Sequence, residues 1–255
     1  MKVISVINQK GGVGKSTTSL ALGAGLGLSG FKTLFVDLDA QGNLSYTLGA
    51  DGASPSSFAV LTGESQAQQA VQQTSQGPLI ASSPALAGAD MAITEVGKEY
   101  RLKEALEPLG REYDYIIIDT PPALGILTIC ALTAAHGAII PAQADIYSLQ
   151  GISQLYSTIQ TVKKYCNPQL EVKGILLTRY SSRAIIAREV AEMIEATAAQ
   201  LDTKLYKTRI REATAIKEAQ ARRQSIFAYA PKSNAAADYK AFVEEFIGGE
   251  QDASA

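Results

Sequence analysis

Residues 10–17 have the composition of a loop that binds phosphate groups. The segment lies between a short apolar stretch and a stretch typical of a helix. Glycines let backbone N–H groups converge on phosphate oxygens, and a following helix N-terminus adds positive charge. A lysine and a serine at the end of such a loop contact the β- and γ-phosphates and Mg²⁺ respectively. The predicted nucleotide-binding residues are Lys10, Gly11, Gly12, Val13, Gly14, Lys15, Ser16 and Thr17.

This loop departs from the usual G-x-x-x-x-G-K-[ST] pattern at its start. Gln9 stands where the first glycine is usual, and an additional lysine, Lys10, follows it. Taken by itself, Lys10 is either a solvated surface lysine or a second cation for the phosphates. Lys15 and Ser16 keep their usual positions, so the prediction of a nucleotide site is unaffected.

Carboxylates follow two further apolar stretches. Asp37 and Asp39 come at the end of a stretch that begins at Thr33, and Asp119 ends the run Ile-Ile-Ile-Asp before Thr-Pro-Pro. Phosphoryl transfer needs a held metal ion and an oriented attacking water, and carboxylates serve both purposes. In a parallel sheet the carboxyl ends of the strands meet at one edge, so we expect Lys15, Asp39 and Asp119 to lie close together.

Apolar strands alternate with amphipathic helices along most of the chain. This alternation predicts a single α/β domain with the P-loop fold, that is, a mostly parallel twisted sheet with helices on both faces. We expect the domain to span residues 1–247, with a disordered polar tail over 248–255 and an exposed helix or loop over the Gln-rich residues 64–77. Strands are predicted over residues 3–8, 33–37, 114–119, 138–141 and 174–178, and the first helix over 15–28.

The charge of the chain is unevenly distributed. The net charge is −2, yet residues 151–240 carry 15 Lys and Arg against 8 Asp and Glu. A basic region in an acidic protein permits a polyanionic partner there, although ordinary solvated helix faces would give the same excess.

Membrane insertion and metal binding by cysteine are not indicated. No apolar run reaches the roughly 18 residues needed to cross a bilayer, and the apolar N-terminal stretch is too short for a signal peptide. Cys130 and Cys166 are far apart and match no metal-binding spacing, so we expect two reduced thiols. These features predict a cytoplasmic protein without a membrane partner.

The motifs together resemble the ParA/MinD superfamily of P-loop ATPases, whose deviant Walker A motif reads KGGxGK[ST]. In that family the additional lysine, here Lys10, crosses a dimer interface to the phosphates bound by the other subunit. The resemblance implies that Asp39, in a DxDxQGN segment, orients or polarises the attacking water. It also implies that Asp119 holds Mg²⁺, through water, and that Asp37 supports the Mg²⁺ shell beside Ser16.

The resemblance extends over nearly the whole chain. Residues 141–151 are similar to the segment that the family uses near its dimer interface, and residues 174–179 to its fifth-strand region. Residues 210–233 are similar to the family's late loop that contacts the nucleotide base and to its C-terminal helices. The resemblance implies that Arg211 binds the nucleotide, although it stands near the place of a proline common in that loop. A strand predicted from residue 3 implies the short, Soj-like type without an N-terminal helix-turn-helix region.

The resemblance implies an ATP-dependent dimerising switch ATPase for plasmid or chromosome partition. Such a protein hydrolyses ATP slowly, binds DNA without sequence preference as an ATP-bound dimer, and is stimulated by a ParB-like centromere-binding protein at the nucleoid. Arg183 best matches a DNA-contacting arginine of the family, and Arg222 with Arg223 forms the sharpest basic cluster. The full set of candidates is Arg179, Arg183, Arg188, Lys207, Arg209, Lys217, Arg222 and Arg223.

Three other functions are considered. A MinD-like ATPase that positions a membrane or protein cargo requires a basic amphipathic C-terminal helix, but residues 242–250 are acidic. An iron–sulfur reductase with the same loop requires paired cysteines, which the spacing of Cys130 and Cys166 does not provide. A scaffold in which ATP is only structural would show no hydrolysis.

Overall fold

The computed structural model describes residues 1–252, in which strands and helices alternate. The strands are β1 (Lys2–Val6), β2 (Thr33–Asp37), β3 (Val71–Thr74), β4 (Gly77–Ile80), β5 (Tyr115–Asp119), β6 (Gly137–Ala142), β7 (Glu171–Tyr180) and β8 (Leu205–Arg211). The helices are α1 (Lys15–Leu28), α2 (Asn43–Leu48), α3 (Ser57–Thr62), α4 (Ala67–Ala70), α5 (Ala89–Ala92), α6 (Arg101–Leu106), α7 (Ile126–Ala134), α8 (Ile146–Tyr165), α9 (Ile185–Gln200), α10 (Thr214–Ala221), α11 (Ile226–Tyr229) and α12 (Asn234–Asp252). Short 3₁₀ turns cover Pro84–Gly88, Lys98–Tyr100 and Glu107–Arg111.

The strands form one sheet in the order β3-β4-β2-β5-β1-β6-β7-β8. Every neighbouring pair is parallel except β3 with β4. The register aligns Asp37 of β2 and Val6 of β1 with Asp119 of β5, so these three strands end together. Chain connections diverge on either side of β1, which is where doubly wound sheets bind ligands. The predicted fold class is confirmed.

Helices cover both faces of the sheet, as strand β5 illustrates. Ile117 packs in the layer of α1 and α12, whereas Ile116 and Ile118 face the opposite layer with α7. Both faces of such a strand are buried, which explains its unbroken apolar run. No helix among the described residues is long and apolar enough to cross a membrane.

The Gln-rich region differs from the prediction of an exposed helix or loop. Residues 71–74 form strand β3, which pairs with β4 in an antiparallel hairpin at the sheet edge. Gln72 is buried, and its Oε1 accepts the N–H of Asp51 at 3.1 Å. An edge strand needs few apolar residues because one of its sides has no neighbouring strand. Its sequence therefore shows little of the apolar pattern from which a strand is predicted.

The predicted domain boundary at residue 247 is also corrected. Residues 248–252 continue α12, and Glu250 is buried between Lys2 and Lys173 at 2.6 and 2.7 Å. These ion pairs join the C-terminal helix to the starts of β1 and β7, so this segment is part of the domain. Residues 253–255 lie outside the described part of the chain.

Candidate nucleotide site

The phosphate loop connects the end of β1 to the start of α1. Gly12 and Gly14 have φ of 75° and 88°, a left-handed conformation that favours glycine. Gly14 is the N-cap of α1, and the first helical residue is Lys15. The loop therefore presents the N-terminus of a 14-residue helix to the cleft above it, as an anion site requires.

Hydrogen bonds to strands β6 and β7 hold this loop in place. The Asn8 amide donates to the carbonyl of Pro141 at 2.7 Å, and its oxygen accepts the N–H of Lys10 at 2.9 Å. On the far side, the Thr178 hydroxyl donates to the carbonyl of Val13 at 2.7 Å. The loop is thus fixed by β6 and β7 independently of any ligand, which reduces the entropy lost on binding.

The Lys15 ammonium is nearly buried beneath the loop. Its side chain donates to the carbonyl of Lys10 at 3.3 Å. Burial lowers the pKa of Lys15, and the Asp119 and Asp39 carboxylates partly offset this effect. A desolvated cation without a close carboxylate partner favours binding of an anion at this position.

Asp119 lies behind the loop and is fully buried. The Ser19 hydroxyl donates to its Oδ1 at 2.9 Å, whereas its Oδ2 has no hydrogen-bond partner among the described residues. Burial raises the pKa of Asp119 to about 8, and the Asp37 carboxylate adds to the rise, while the nearby hydroxyls of Ser16 and Ser19 oppose it. A buried carboxylate oxygen without a donor, next to a serine hydroxyl, fits a bound Mg²⁺.

Asp37 has a different set of contacts. Its Oδ1 accepts the N–H of Asp39 at 3.0 Å, and its Oδ2 accepts the N–H and hydroxyl of Ser45 at 2.8 and 2.7 Å. Burial raises the pKa of Asp37 to about 6, although these hydrogen bonds oppose the rise. The contacts show that Asp37 shapes the segment after β2, while its role in the Mg²⁺ shell stays a prediction.

Asp39 faces the same cleft as the phosphate loop. Its Oδ1 accepts the N–H of Gln41 at 3.0 Å, so its own turn orients the carboxylate. The cleft has a volume of about 600 Å³. Its lining brings together most of the predicted residues, namely Gly11, Gly12, Gly14, Lys15, Ser16, Thr17, Asp39, Arg179, Arg211 and Lys217.

Lys10 is held by an acidic residue that sequence reasoning did not single out for this contact. Its Nζ lies 2.6 Å from Oδ2 of Asp145. The other carboxylate oxygen of Asp145, Oδ1, caps α8 by accepting the N–H of Ser148 at 2.9 Å. Although partial burial acts in the opposite direction, hydrogen bonds from Lys10 and Ser148 keep the pKa of Asp145 below its ordinary value. A carboxylate after β6, three residues before a serine, signals the cap of α8 but not the contact with Lys10.

Arg211 is tied to the C-terminal helix. Its guanidinium makes a bidentate contact with Asp238 of α12, at 2.9 and 2.7 Å. On the other side of the cleft, the Gln220 amide donates to the hydroxyl of Thr17 at 2.9 Å. The roles of Asp238 and Gln220 could not be predicted from sequence. Each lies in a helix whose local sequence does not indicate the residue that it contacts across the fold.

Comparison with known proteins gives the family. A family profile described as AAA domain matches residues 1–172. The sporulation initiation inhibitor protein Soj of Bacillus subtilis is 39% identical over 249 residues, which cover 96% of this chain and 97% of Soj. The chromosome partitioning protein ParA of Myxococcus xanthus is 43% identical over 198 residues, 76% of this chain and 70% of that protein. This chain belongs to the ParA family. The resemblance predicted from the motifs is confirmed.

A solved structure shares the ParA-family fold. A protein from Mycobacterium smegmatis, named cobyrinic acid a,c-diamide synthase and crystallised with ADP and magnesium, superposes with a TM-score of 0.83. The two chains are 35% identical, and the alignment covers 96% of this chain and 93% of the other. The fold of nearly the whole chain is therefore common to the two proteins.

The basic residues predicted to contact DNA in this ParA-family chain do not form one uniform group. Arg179 pairs with Glu212 at 2.7 Å, and the Arg223 guanidinium lies 4.5 Å from the ring centre of Tyr46, another residue of the cleft. Arg183 and Arg222, by contrast, are exposed and form no ion pair within residues 1–252. The predicted DNA-contacting residues therefore fall into two groups. Arg179 and Arg223 lie at or beside the cleft, whereas Arg183 and Arg222 are exposed to solvent.

Proposed function

We propose that this chain is an ATP-dependent switch ATPase that serves plasmid or chromosome partition. In the proposed cycle it binds ATP with Mg²⁺, dimerises around the nucleotide, binds DNA without sequence preference as a dimer, and slowly hydrolyses ATP to ADP and phosphate. The observation that carries the proposal is the phosphate loop over a desolvated Lys15, with a buried oxygen of Asp119 behind it that has no hydrogen-bond partner within residues 1–252.

The cleft supports Mg²⁺ and ATP as ligands. The related Mycobacterium smegmatis structure contains ADP and magnesium, and this chain has the groups that such ligands require. Ser16 and Asp119 would hold the metal ion, with Asp37 close behind, and Lys15 would contact the β- and γ-phosphates. When bound, Mg²⁺ neutralises charge on the phosphates. Asp39 orients the attacking water.

The position of Lys10 supports a dimer that forms only with ATP. Both side chains of the Lys10–Asp145 pair are about one-third exposed, so the ion pair contributes little, on the order of 1 kcal/mol or less. A triphosphate carries more negative charge than one carboxylate and can compete for this lysine. Lys10 then contacts the phosphates of the other subunit, so a monomer lacks one catalytic cation and hydrolyses slowly.

Partition as the biological role is supported by the relatives. The ParA protein of Myxococcus xanthus is named as a chromosome partitioning protein, and the basic surface of this chain could contact DNA phosphates. The partner that stimulates hydrolysis would be a ParB-like centromere-binding protein. The ATP-bound dimer would then lie on the nucleoid in the cytoplasm.

A MinD-like role at a membrane would need an exposed apolar face on the C-terminal helix. Helix α12 instead packs Phe242, Val243 and Phe246 into the core, and each of these side chains is at most 2% exposed. This arrangement favours partition over membrane positioning. Sedimentation with anionic lipid vesicles in the presence of ATP separates the two roles, because only a MinD-like protein would be recovered with the vesicles.

The experiment that tests the proposed activity is an ATP hydrolysis assay with Mg²⁺ and double-stranded DNA. We expect slow turnover in the wild type and none in Asp39→Ala, which should bind ATP with nearly unchanged affinity because Asp39 contacts the water rather than the phosphates. Asp51→Ala, which changes an exposed carboxylate outside the cleft, is the matched control. Equal turnover in Asp39→Ala and the wild type would contradict the assigned role.

A further inference from the structure

We propose that Ser82, which follows strand β4, is a positioning residue that fixes Asp39 for ATP hydrolysis. The inference rests on the proposed function, since it concerns the same reaction. It adds a residue outside the nucleotide motifs, 43 positions from Asp39 along the chain.

The sheet places Ser82 at the same edge as Asp39. Strand β4 pairs in parallel with β2, with Phe35 opposite Leu79 and Val36 opposite Ile80. Residues that follow the two strands therefore emerge at the same edge. Ser82 comes two residues after the end of β4, as Asp39 comes two residues after the end of β2.

Ser82 contacts both ends of the segment formed by residues 39–45. Its hydroxyl donates to the backbone carbonyl of Asp39, and its N–H donates to Oγ of Ser45 at 2.8 Å. The Ser45 hydroxyl in turn donates to Oδ2 of Asp37 at 2.7 Å. A single residue that follows β4 thus links the start of this segment to the serine that anchors its end.

Anchoring the backbone of this segment decides where the Asp39 carboxylate points. The segment is a tight turn in which the N–H of Gly42 also donates to the Asp39 carbonyl at 2.8 Å. The N–H of Gln41, within the same turn, orients the carboxylate. A shift of the turn therefore moves the carboxylate with it, and misplacing a catalytic group by about 1 Å can cost up to roughly 100-fold in rate.

The neighbouring serine provides a matched control. Ser83 has the same chemistry, but its hydroxyl accepts the N–H of Ala85 at 3.0 Å at the start of a 3₁₀ turn. Its side chain is not part of the contacts around Asp39. A substitution at Ser83 therefore reports what the loss of a local serine hydroxyl does without affecting the catalytic turn.

We expect Ser82→Ala to lower kcat roughly tenfold and to leave the ATP dissociation constant within about twofold of the wild type. Single-turnover hydrolysis and binding of a fluorescent ATP analogue measure the two quantities. Ser83→Ala should match the wild type in both. Ser82→Thr, which keeps the hydroxyl, should recover most of the rate. If Ser82 had only a structural role, Ser82→Ala would instead lower thermal stability and ATP affinity together.

The outcomes separate this inference from the proposed function. If the wild type hydrolyses ATP and Ser82→Ala does so at the same rate, the positioning role is wrong and the ATPase stands. If the wild type shows no hydrolysis with Mg²⁺ and DNA, the proposed function itself fails. Should Ser82→Ala unfold, Ser82→Cys replaces it, because a thiol keeps the volume and is a poor hydrogen-bond donor; an unchanged kcat in Ser82→Cys would then overturn the inference.

Discussion

At the residue scale, the nucleotide site contains two ionisable groups that the protein itself buries. Lys15 is only 7% exposed and Asp119 is fully buried. Desolvation of such groups is costly unless opposite charges compensate it. Phosphates would compensate Lys15 and a metal ion would compensate Asp119, so binding of Mg²⁺ and ATP relieves both costs at once.

Lys15→Ala should therefore weaken ATP binding by roughly 10–100-fold, because the phosphates lose a charged hydrogen-bond donor. Isothermal titration with ATP and Mg²⁺ measures the change. Lys32→Ala is the matched control, since Lys32 is an exposed lysine away from this cleft. Unchanged ATP affinity in Lys15→Ala would contradict the assignment of the phosphate loop.

At the element scale, the strand ends that carry the site could be predicted from sequence, and some of their partners could not. The bounds of α1 and β2 agree with the prediction because polar residues and glycines interrupt the apolar runs there. The hairpin of β3 and β4 was missed because its polar edge gives no periodic signal. Ser82 was missed because its contacts with the segment after β2 form only when β4 lies beside β2.

The contact between the phosphate loop and α8 was also beyond sequence reasoning. Lys10 and Asp145 are 135 positions apart, and only the neighbouring positions of β1 and β6 bring them within 2.6 Å. Nothing in the local sequence of either residue identifies the other. The same holds for Gln220 and Thr17, which meet across the cleft.

Asp145→Asn tests whether this contact restrains dimer formation. The amide keeps an acceptor for the N-cap of α8 but removes the charge that holds Lys10, so we expect dimers at a several-fold lower concentration of a slowly hydrolysed ATP analogue. Analytical ultracentrifugation across a titration of the analogue gives the midpoint. A dimer midpoint equal to that of the wild type would show that the ion pair does not oppose dimerisation.

The loop before α9 and the end of α10 carry Arg183 and Arg222, two exposed arginines that we propose contact DNA. Arg183→Glu and Arg222→Glu should each weaken DNA binding by the ATP-bound protein and reduce the salt dependence by about one counterion per lost phosphate contact. Fluorescence anisotropy at several salt concentrations measures both effects. Lys164→Glu makes the same charge change in the last turn of α8 and should have little effect. If DNA affinity fell equally in all three variants, the effect would come from net charge alone and Arg183 and Arg222 would not be specific DNA contacts.

At the scale of the whole molecule, the C-terminal helix closes the fold. Helix α12 packs against α1 and β8, and Glu250 near its end contacts Lys2 and Lys173, which lie at the starts of β1 and β7. The first described strand and the last described helix are thereby joined. This arrangement is why residues 248–252 belong to the domain although their composition suggests a tail.

Glu250→Gln should lower the free energy of unfolding by about 1–2 kcal/mol, because it removes a buried charge shared by Lys2 and Lys173. Although burial acts to raise it, hydrogen bonds from the two lysines keep the pKa of Glu250 below its ordinary value. The stabilisation is therefore present above the pKa of an unfolded glutamate and is lost as the pH falls through the folded value. Urea denaturation at pH 7 and near pH 3 should show the difference from the wild type shrinking with acidification.

Glu244→Gln is the control for this measurement. Glu244 lies on the same helix, but its pair with Lys240 is exposed and long, at 3.9 Å. We expect a change of about 0.5 kcal/mol or less. Equal losses in Glu244→Gln and Glu250→Gln would mean that the ion pairs of Glu250 do not anchor the helix.

The central claim is that the nucleotide in the cleft controls assembly and DNA binding. The most direct measurement is the mass of the purified protein by light scattering, together with its DNA affinity, in ADP and in a slowly hydrolysed ATP analogue with Mg²⁺. We expect a monomer with weak DNA binding in ADP, and a dimer with salt-sensitive DNA binding in the analogue. The same mass and the same DNA affinity in both nucleotides would contradict it.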